Sequence, residues 1–177
     1  PSFRNSACGY KNLVDFFPAY DSVEDYIKDV QSFVDSGLIS EAKELYTQIR
    51  LKTKDKDHVL ESLKETGIEY LEIRTIDLNL FDKAGVALND LRFVQLLLLW
   101  SLLKDETNYP QWQQEGLENE LRTASKGLSP SLKLLDSGVE KTFREYALEV
   151  IGAIEKMDAD LELGCSEIIS EMRGRVE

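Results

Sequence analysis

Apolar residues recur at helical spacing from Val23 through Tyr26, Ile27, Val30, Phe33 and Val34, which predicts a first amphipathic helix. Ser22 stands at its start, where its hydroxyl can accept from the backbone N–H of Asp25, and Gly37 closes it. In ELYTQIRLKT, Leu45, Ile49 and Leu51 fit a strand about as well as a helix continued from Ser40, and the strand is preferred. A short helix from Asp57 to Glu65, ended by Gly67, leads into IEYLEIRTIDLNLF. The β-branched and aromatic residues of that segment nearly alternate with the rest, so a strand is expected from Ile68 to about Asn79. Asn89 is expected to cap DLRFVQLLLLWSLL, a helix apolar on nearly all sides. Such a helix is normally buried against several others, which makes it the expected spine of the core. Pro110 opens a further helix through about Ser125. A long amphipathic helix is read from Gly138 to Met157 through Val139, Phe143, Ala147, Val150, Ile151 and Ile154, and a last one from about Cys165 to Met172.

No repeat, low-complexity tract or Pro/Gly/Ser linker divides these elements, so 1–177 is read as one unit, with a loop-and-strand region over 1–81 and a helical region over 89–177. A chain of 177 residues that is 42% hydrophobic can bury a sizeable core. Its 21 Lys and Arg against 33 Asp and Glu leave a net charge of −12. That balance argues against nucleic acid and anionic membrane surfaces as partners, while leaving a few convergent arginines free to bind a small anion. Cys8 and Cys165 are too far apart for a metal motif and are read as free thiols in a reducing cytoplasm. The most apolar stretch, Phe93 to Leu103, has about half of the roughly 20 residues a spanning helix needs. The expectation is a soluble cytoplasmic protein. Because the sequence opens on Pro1 and closes inside a helical pattern at Glu177, a piece of a longer polypeptide is expected.

Side chains two apart share one face of a strand, so Tyr70, Glu72 and Arg74 project together. A carboxylate beside a guanidinium could hold a divalent cation and a phosphate respectively. The plain alternative is a cross-strand ion pair on a solvated face. SFRNSACGY places Arg4, Ser6 and Tyr10 in a loop where polar groups can converge on a ligand, against the alternative of an ordinary polar terminus. Tyr46, Arg50 and Lys52 offer an aromatic platform with cations for a nucleotide, against the alternative of a surface strand with snorkelling basic residues. His58, the single histidine, sits among Asp55, Lys56 and Asp57 and is read as a solvated helix start. With no HExxH, CxxC pair, GxSxG or GxxxxGK[ST], the familiar zinc, triad and P-loop chemistries are absent.

The segment GIEYLEIRTIDLNLFDKAGVALNDLRFVQLLLLWSLL resembles the bacterial glutamate-cysteine ligase family. There an IEY-hydrophobic-E-hydrophobic-R-[ST]-[IL]-D-[IL]-N-x-F strand is followed by GV, an acidic linker and an [LV]RF apolar helix. RNSACGY is similar to the family's R-x-S-x-x-G-Y loop and ELYTQIRLK to its ELY-x-x-[IV]R-x-K strand. The wording of both looks closer to the ligase domain of the bifunctional glutathione synthetases. The resemblance implies ATP-dependent joining of the glutamate γ-carboxylate to the cysteine amine through γ-glutamyl phosphate, with Mg²⁺, or Mn²⁺ in its place. It implies an α+β fold, in which part of an antiparallel sheet forms an active-site funnel backed by several helices. By the same resemblance Glu72 would be a metal ligand and Arg74 a contact to the transferring phosphoryl group. Arg4 would pair with the glutamate carboxylate, Tyr10 would hydrogen-bond cysteine, and Tyr46 would face the nucleotide. The family's acidic N-terminal half, which supplies most other metal ligands, has no counterpart here. The expected partners are therefore that missing ligase half and a fused glutathione synthetase domain. Two other readings stand beside this one: a noncatalytic helical interaction module, and a relative that joins glutamate to another amine.

Overall fold

The computed structural model describes residues 2–9, 12, 14–106 and 109–177. It is an α+β structure with two small antiparallel sheets, and it divides into two compact units. One comprises Phe3–Ile76; the other comprises Asp77–Glu177 together with Ser2.

The first unit carries α1 (Val23–Asp35), a 3₁₀ turn (Ala42–Glu44), β1 (Ile49–Lys52), α2 (Val59–Thr66) and β2 (Tyr70–Ile73). Ser22 caps α1 as expected, its hydroxyl accepting from the Asp25 N–H. The inward stripe of α1 meets α2 over Val30, Ile39, Leu45, Leu60 and Leu63, all buried. Beside this core β1 and β2 pair antiparallel, with Arg50 opposite Glu72 and Lys52 opposite Tyr70. The β2 strand is far shorter than the Ile68–Asn79 run that alternation suggested. Backbone alternation makes a strand only where a partner offers hydrogen bonds, and β1 has four residues. One further bond, from the Arg74 N–H to the Gln48 carbonyl at 2.8 Å, extends the pairing past Ile73.

The second unit holds α3 (Leu88–Leu103), α4 (Trp112–Lys126), β3 (Lys133–Asp136), β4 (Val139–Thr142), α5 (Phe143–Leu161) and α6 (Ser166–Val176). Its core is Leu96, Ile151, Ile154, Met157 and Ile169, from α3, α5 and α6. The long helix expected from Gly138 instead begins at Phe143, because β3 and β4 form a hairpin ahead of it. Ser137 and Gly138 lie at φ 54° and 79°, the positive values that a two-residue hairpin turn needs at both central positions. Thr142 then starts α5 with a reciprocal cap: its hydroxyl accepts from the Glu145 N–H, and the Glu145 carboxylate accepts from the Thr142 N–H.

Two further expectations change. Ala87, not Asn89, is the residue before α3, and the Asn89 amide reaches across to donate to Glu171 at 2.7 Å. Nor is α3 buried all round. Leu96 is buried, and Phe93, Leu97, Leu99 and Trp100 pack on the core, whereas Leu88, Leu91, Leu102 and Leu103 are exposed. Among the described residues no helix is long and apolar enough to cross a membrane.

Candidate functional site

The β1–β2 pairing gathers Arg50, Lys52, Glu72 and Arg74 on one face, since residues opposite each other across the pair project the same way. Glu72 lies at the centre of this group. Its Oε2 atom, closed off from solvent, faces Lys52 Nζ at 2.8 Å as an ion pair rather than a well-directed hydrogen bond. Its Oε1 atom is 3.7 Å from Arg74 Nη1. Contact with the Lys52 ammonium, aided by the charges of Arg74 and Arg50, holds the Glu72 carboxyl below its usual pKa of 4.5 despite partial burial. Three cations against one carboxylate make this face anion-seeking.

The sign of the Glu72 shift sets a pH dependence. A carboxyl whose folded-state pKa is depressed adds stability above its unfolded pKa, and the gain is lost as pH falls through the folded value. The loss therefore belongs below pH 4.5. Glu72→Gln should lose less stability than wild type on titration from neutral pH into that range, measured by urea midpoints. Equal losses would show that the pair contributes nothing. The effect is modest, because the Glu72 side chain is 35% exposed.

Tyr46 adjoins this face. The Arg50 guanidinium carbon lies 4.5 Å from its ring centroid and that of Arg74 5.4 Å, both within cation–π range. Nε and Nη2 of Arg50 also donate to the Leu45 carbonyl at 3.1 and 3.0 Å, and Nη2 donates to the Lys43 carbonyl at 2.5 Å. Of the Tyr46, Arg50 and Lys52 group, the structure thus brings Arg50 onto the ring, whereas Lys52 pairs with Glu72. Asn12, which sequence reasoning passed over, holds the Tyr46 backbone from both sides. A single asparagine in a polar loop carries no periodicity and no motif, so nothing in the pattern marked it.

Arg4 is exposed in the N-terminal turn. The Asn5 amide donates to the Thr75 carbonyl at 2.8 Å, so this turn is tied next to the residue that follows Arg74. A Cβ on Gly9 would stand 1.7 Å from the Arg4 carbonyl oxygen, so only glycine fits there. The Ser6 hydroxyl donates to the Phe3 carbonyl and accepts from the Cys8 N–H, which places it in the loop's own bonding. Tyr10 lies outside the described residues. His58 pairs with Asp55 at the solvated start of α2, Nδ1 to Oδ2 at 3.1 Å, as its neighbours suggested.

The described residues do not by themselves make a Mg²⁺ site. Mg²⁺ takes one or two carboxylates together with waters and phosphate oxygens. Here Glu72 is the sole carboxylate of its face and is already neutralised by Lys52. Among the described residues no group of three or more His, Cys, Asp or Glu is placed to share an ion.

Residues 33–124, which include every element of this hairpin face, match the family model of glutamate-cysteine ligase. The match covers more than half of the chain, and the chain belongs to the glutamate-cysteine ligase family. The chain is 41% identical over 138 residues to the glutathione biosynthesis bifunctional protein of Listeria monocytogenes, covering 77% of this chain and 18% of that protein. It is 34% identical over 158 residues to the corresponding protein of Clostridium perfringens, covering 88% of this chain and 20% of the relative. The solved glutamate-cysteine ligase of Francisella tularensis in complex with AMP superposes with a TM-score of 0.84 at 25% identity, over 99% of this chain and 41% of that one. The bifunctional glutathione synthetase of Pasteurella multocida gives 0.78 at 25% identity, over 99% and 22%. The chain thus spans about a fifth of the length of the curated relatives it matches.

Proposed function

We propose that this chain supplies the phosphate-facing part of an ATP-dependent ligase that joins the γ-carboxyl of glutamate to the amine of cysteine through γ-glutamyl phosphate. The observation that carries this reading is the hairpin face, where Arg50, Lys52 and Arg74 surround Glu72 beside the Tyr46 ring inside the family match. Phosphoryl transfer asks mainly for positioning and for neutralisation of charge on the moving group, and planar guanidiniums supply both. Arg74 contacts the transferring phosphoryl group, Tyr46 faces the nucleotide, Arg4 pairs with the glutamate carboxylate and Tyr10 bonds the incoming cysteine. The AMP bound by the Francisella relative supports the nucleotide part.

Mg²⁺, or Mn²⁺, is the metal of this reading, with Glu72 as one of its ligands. Carboxylates from the part its relatives have beyond this chain would complete the set, and the ion would neutralise charge on the phosphates. The whole chain is then one segment of a ligase domain that acts in the cytoplasm with an N-terminal half and, as in the bifunctional relatives, a fused synthetase domain. The exposed leucines of α3 are also what a noncatalytic helical interaction module would present.

The test uses one polypeptide that joins this chain to the part its relatives have beyond it. Phosphate release from ATP should depend on glutamate and cysteine together, with one γ-glutamylcysteine formed per phosphate. Phosphate release indifferent to glutamate would overturn the ligase reading, and no turnover with any amine would favour the interaction module. Turnover with an amine other than cysteine would point to the related ligase.

A further inference from the structure

Tyr46 lies between the 3₁₀ turn and β1, outside any ladder, so its backbone groups need partners from elsewhere. Both find them in one side chain. The Asn12 amide nitrogen donates to the Tyr46 carbonyl at 2.7 Å, and the Tyr46 N–H donates to the Asn12 amide oxygen at 3.0 Å. The asparagine amide supplies the donor and the acceptor on two separate atoms at this reach, whereas aspartate lacks the donor and glutamine is a methylene longer. On the other side, Arg50 ties the carbonyls of Lys43 and Leu45, the second of which belongs to the residue next to Tyr46, and lays its guanidinium over the ring. The ring is thus fixed through its backbone by Asn12 and through its neighbour and its face by Arg50.

We propose that Asn12 and Arg50 are positioning residues that set the Tyr46 ring and, through it, the Arg74 guanidinium. The proposal rests on the ligase reading above. Its link to the phosphate is geometric. The Arg74 guanidinium lies 3.7 Å from Glu72, near the limit of an ion pair, and its carbon stands 5.4 Å from the centroid of the Tyr46 ring. A ring that wanders therefore lets the guanidinium wander. Catalysis by positioning is sensitive to such displacement, and a shift of about 1 Å costs up to ~10²-fold.

The variants are Asn12→Ala and Arg50→Lys, the second keeping the charge but losing the fork that spans two carbonyls. In the complete ligase polypeptide each should lower kcat/KM for ATP about tenfold or more while KM for glutamate stays within about twofold. A merely structural role would cost the same in any background, so each variant is also made in Tyr46→Ala. If Asn12 and Arg50 act through the ring, their effects should shrink to about twofold or less there. Wild-type kinetics in both single variants, or undiminished losses in the Tyr46→Ala background, would overturn the proposal. Failure of the unaltered polypeptide to make the dipeptide would instead sink the ligase reading. The clamp itself is then judged on this chain alone by amide exchange. The Tyr46 N–H should be protected in wild type and unprotected in Asn12→Ala, and equal exchange in the two would overturn it.

Discussion

Arg74→Lys is expected to lower ATP-dependent turnover by about 10²–10³-fold in the complete ligase polypeptide, the range seen when one preorganised donor to a developing charge is removed. The charge survives this change, so simple Coulombic attraction for the triphosphate is largely kept. What is lost is the planar pair of donors and the stacking on Tyr46, from which the guanidinium carbon lies 5.4 Å away. The deficit should therefore fall mainly on kcat, with KM for ATP changing less, as for an interaction made chiefly in the transition state. Glu72→Gln should lose at least as much, because it removes the one carboxylate of the face while preserving its shape. Steady-state kinetics at saturating and limiting Mg²⁺ separate the two. Wild-type turnover by Arg74→Lys would remove Arg74 from the phosphoryl contact, and wild-type turnover by Glu72→Gln at limiting Mg²⁺ would remove Glu72 from the metal.

The largest effect on stability belongs to Ile154, which is fully buried in α5 among Leu96, Ile151, Met157 and Ile169. Ile154→Ala should cost about 2–5 kcal/mol, from the lost transfer energy of the deleted carbons and the cavity they leave. Leu102→Ala serves as the contrast. Leu102 is 80% exposed on α3, and truncating it should change stability by about 0.5 kcal/mol or less. Urea denaturation of the two variants gives the answer. A large loss for Leu102→Ala with none for Ile154→Ala would mean that the apolar side of α3 facing away from this core carries the packing.

The hairpin face was legible because a period of two depends only on the strand itself. Alternation placed Tyr70, Glu72 and Arg74 on one side, and the structure adds Arg50 and Lys52 from the paired strand. Which cation Glu72 would meet was not legible, since that is a matter of register, and register is set by partners and turns rather than by composition. The β3–β4 hairpin escaped notice for a different reason. Val139 falls in step with Phe143, Ala147 and Val150, so a helical period runs back through the strand and outweighs the Ser137–Gly138 turn signal. The threonine three residues before Glu145 was a capping-box mark for the true start of α5. The burial of α3 was overstated because an apolar helix reports only that its faces need covering, and this chain covers one of them. Asn12 had no signal at all, because its role is two hydrogen bonds to a residue thirty-four positions away.

The most direct measurement compares this 177-residue chain alone with the same chain joined to the part its relatives have beyond it, under glutamate, cysteine, ATP and Mg²⁺. Phosphate release and γ-glutamylcysteine are followed together. With Glu72 the sole carboxylate of its face and the nucleotide left largely in water, the isolated chain should form no dipeptide, and the joined polypeptide should turn over. Dipeptide formation by the isolated chain would contradict the account, since it would require a complete metal and phosphate site within these residues.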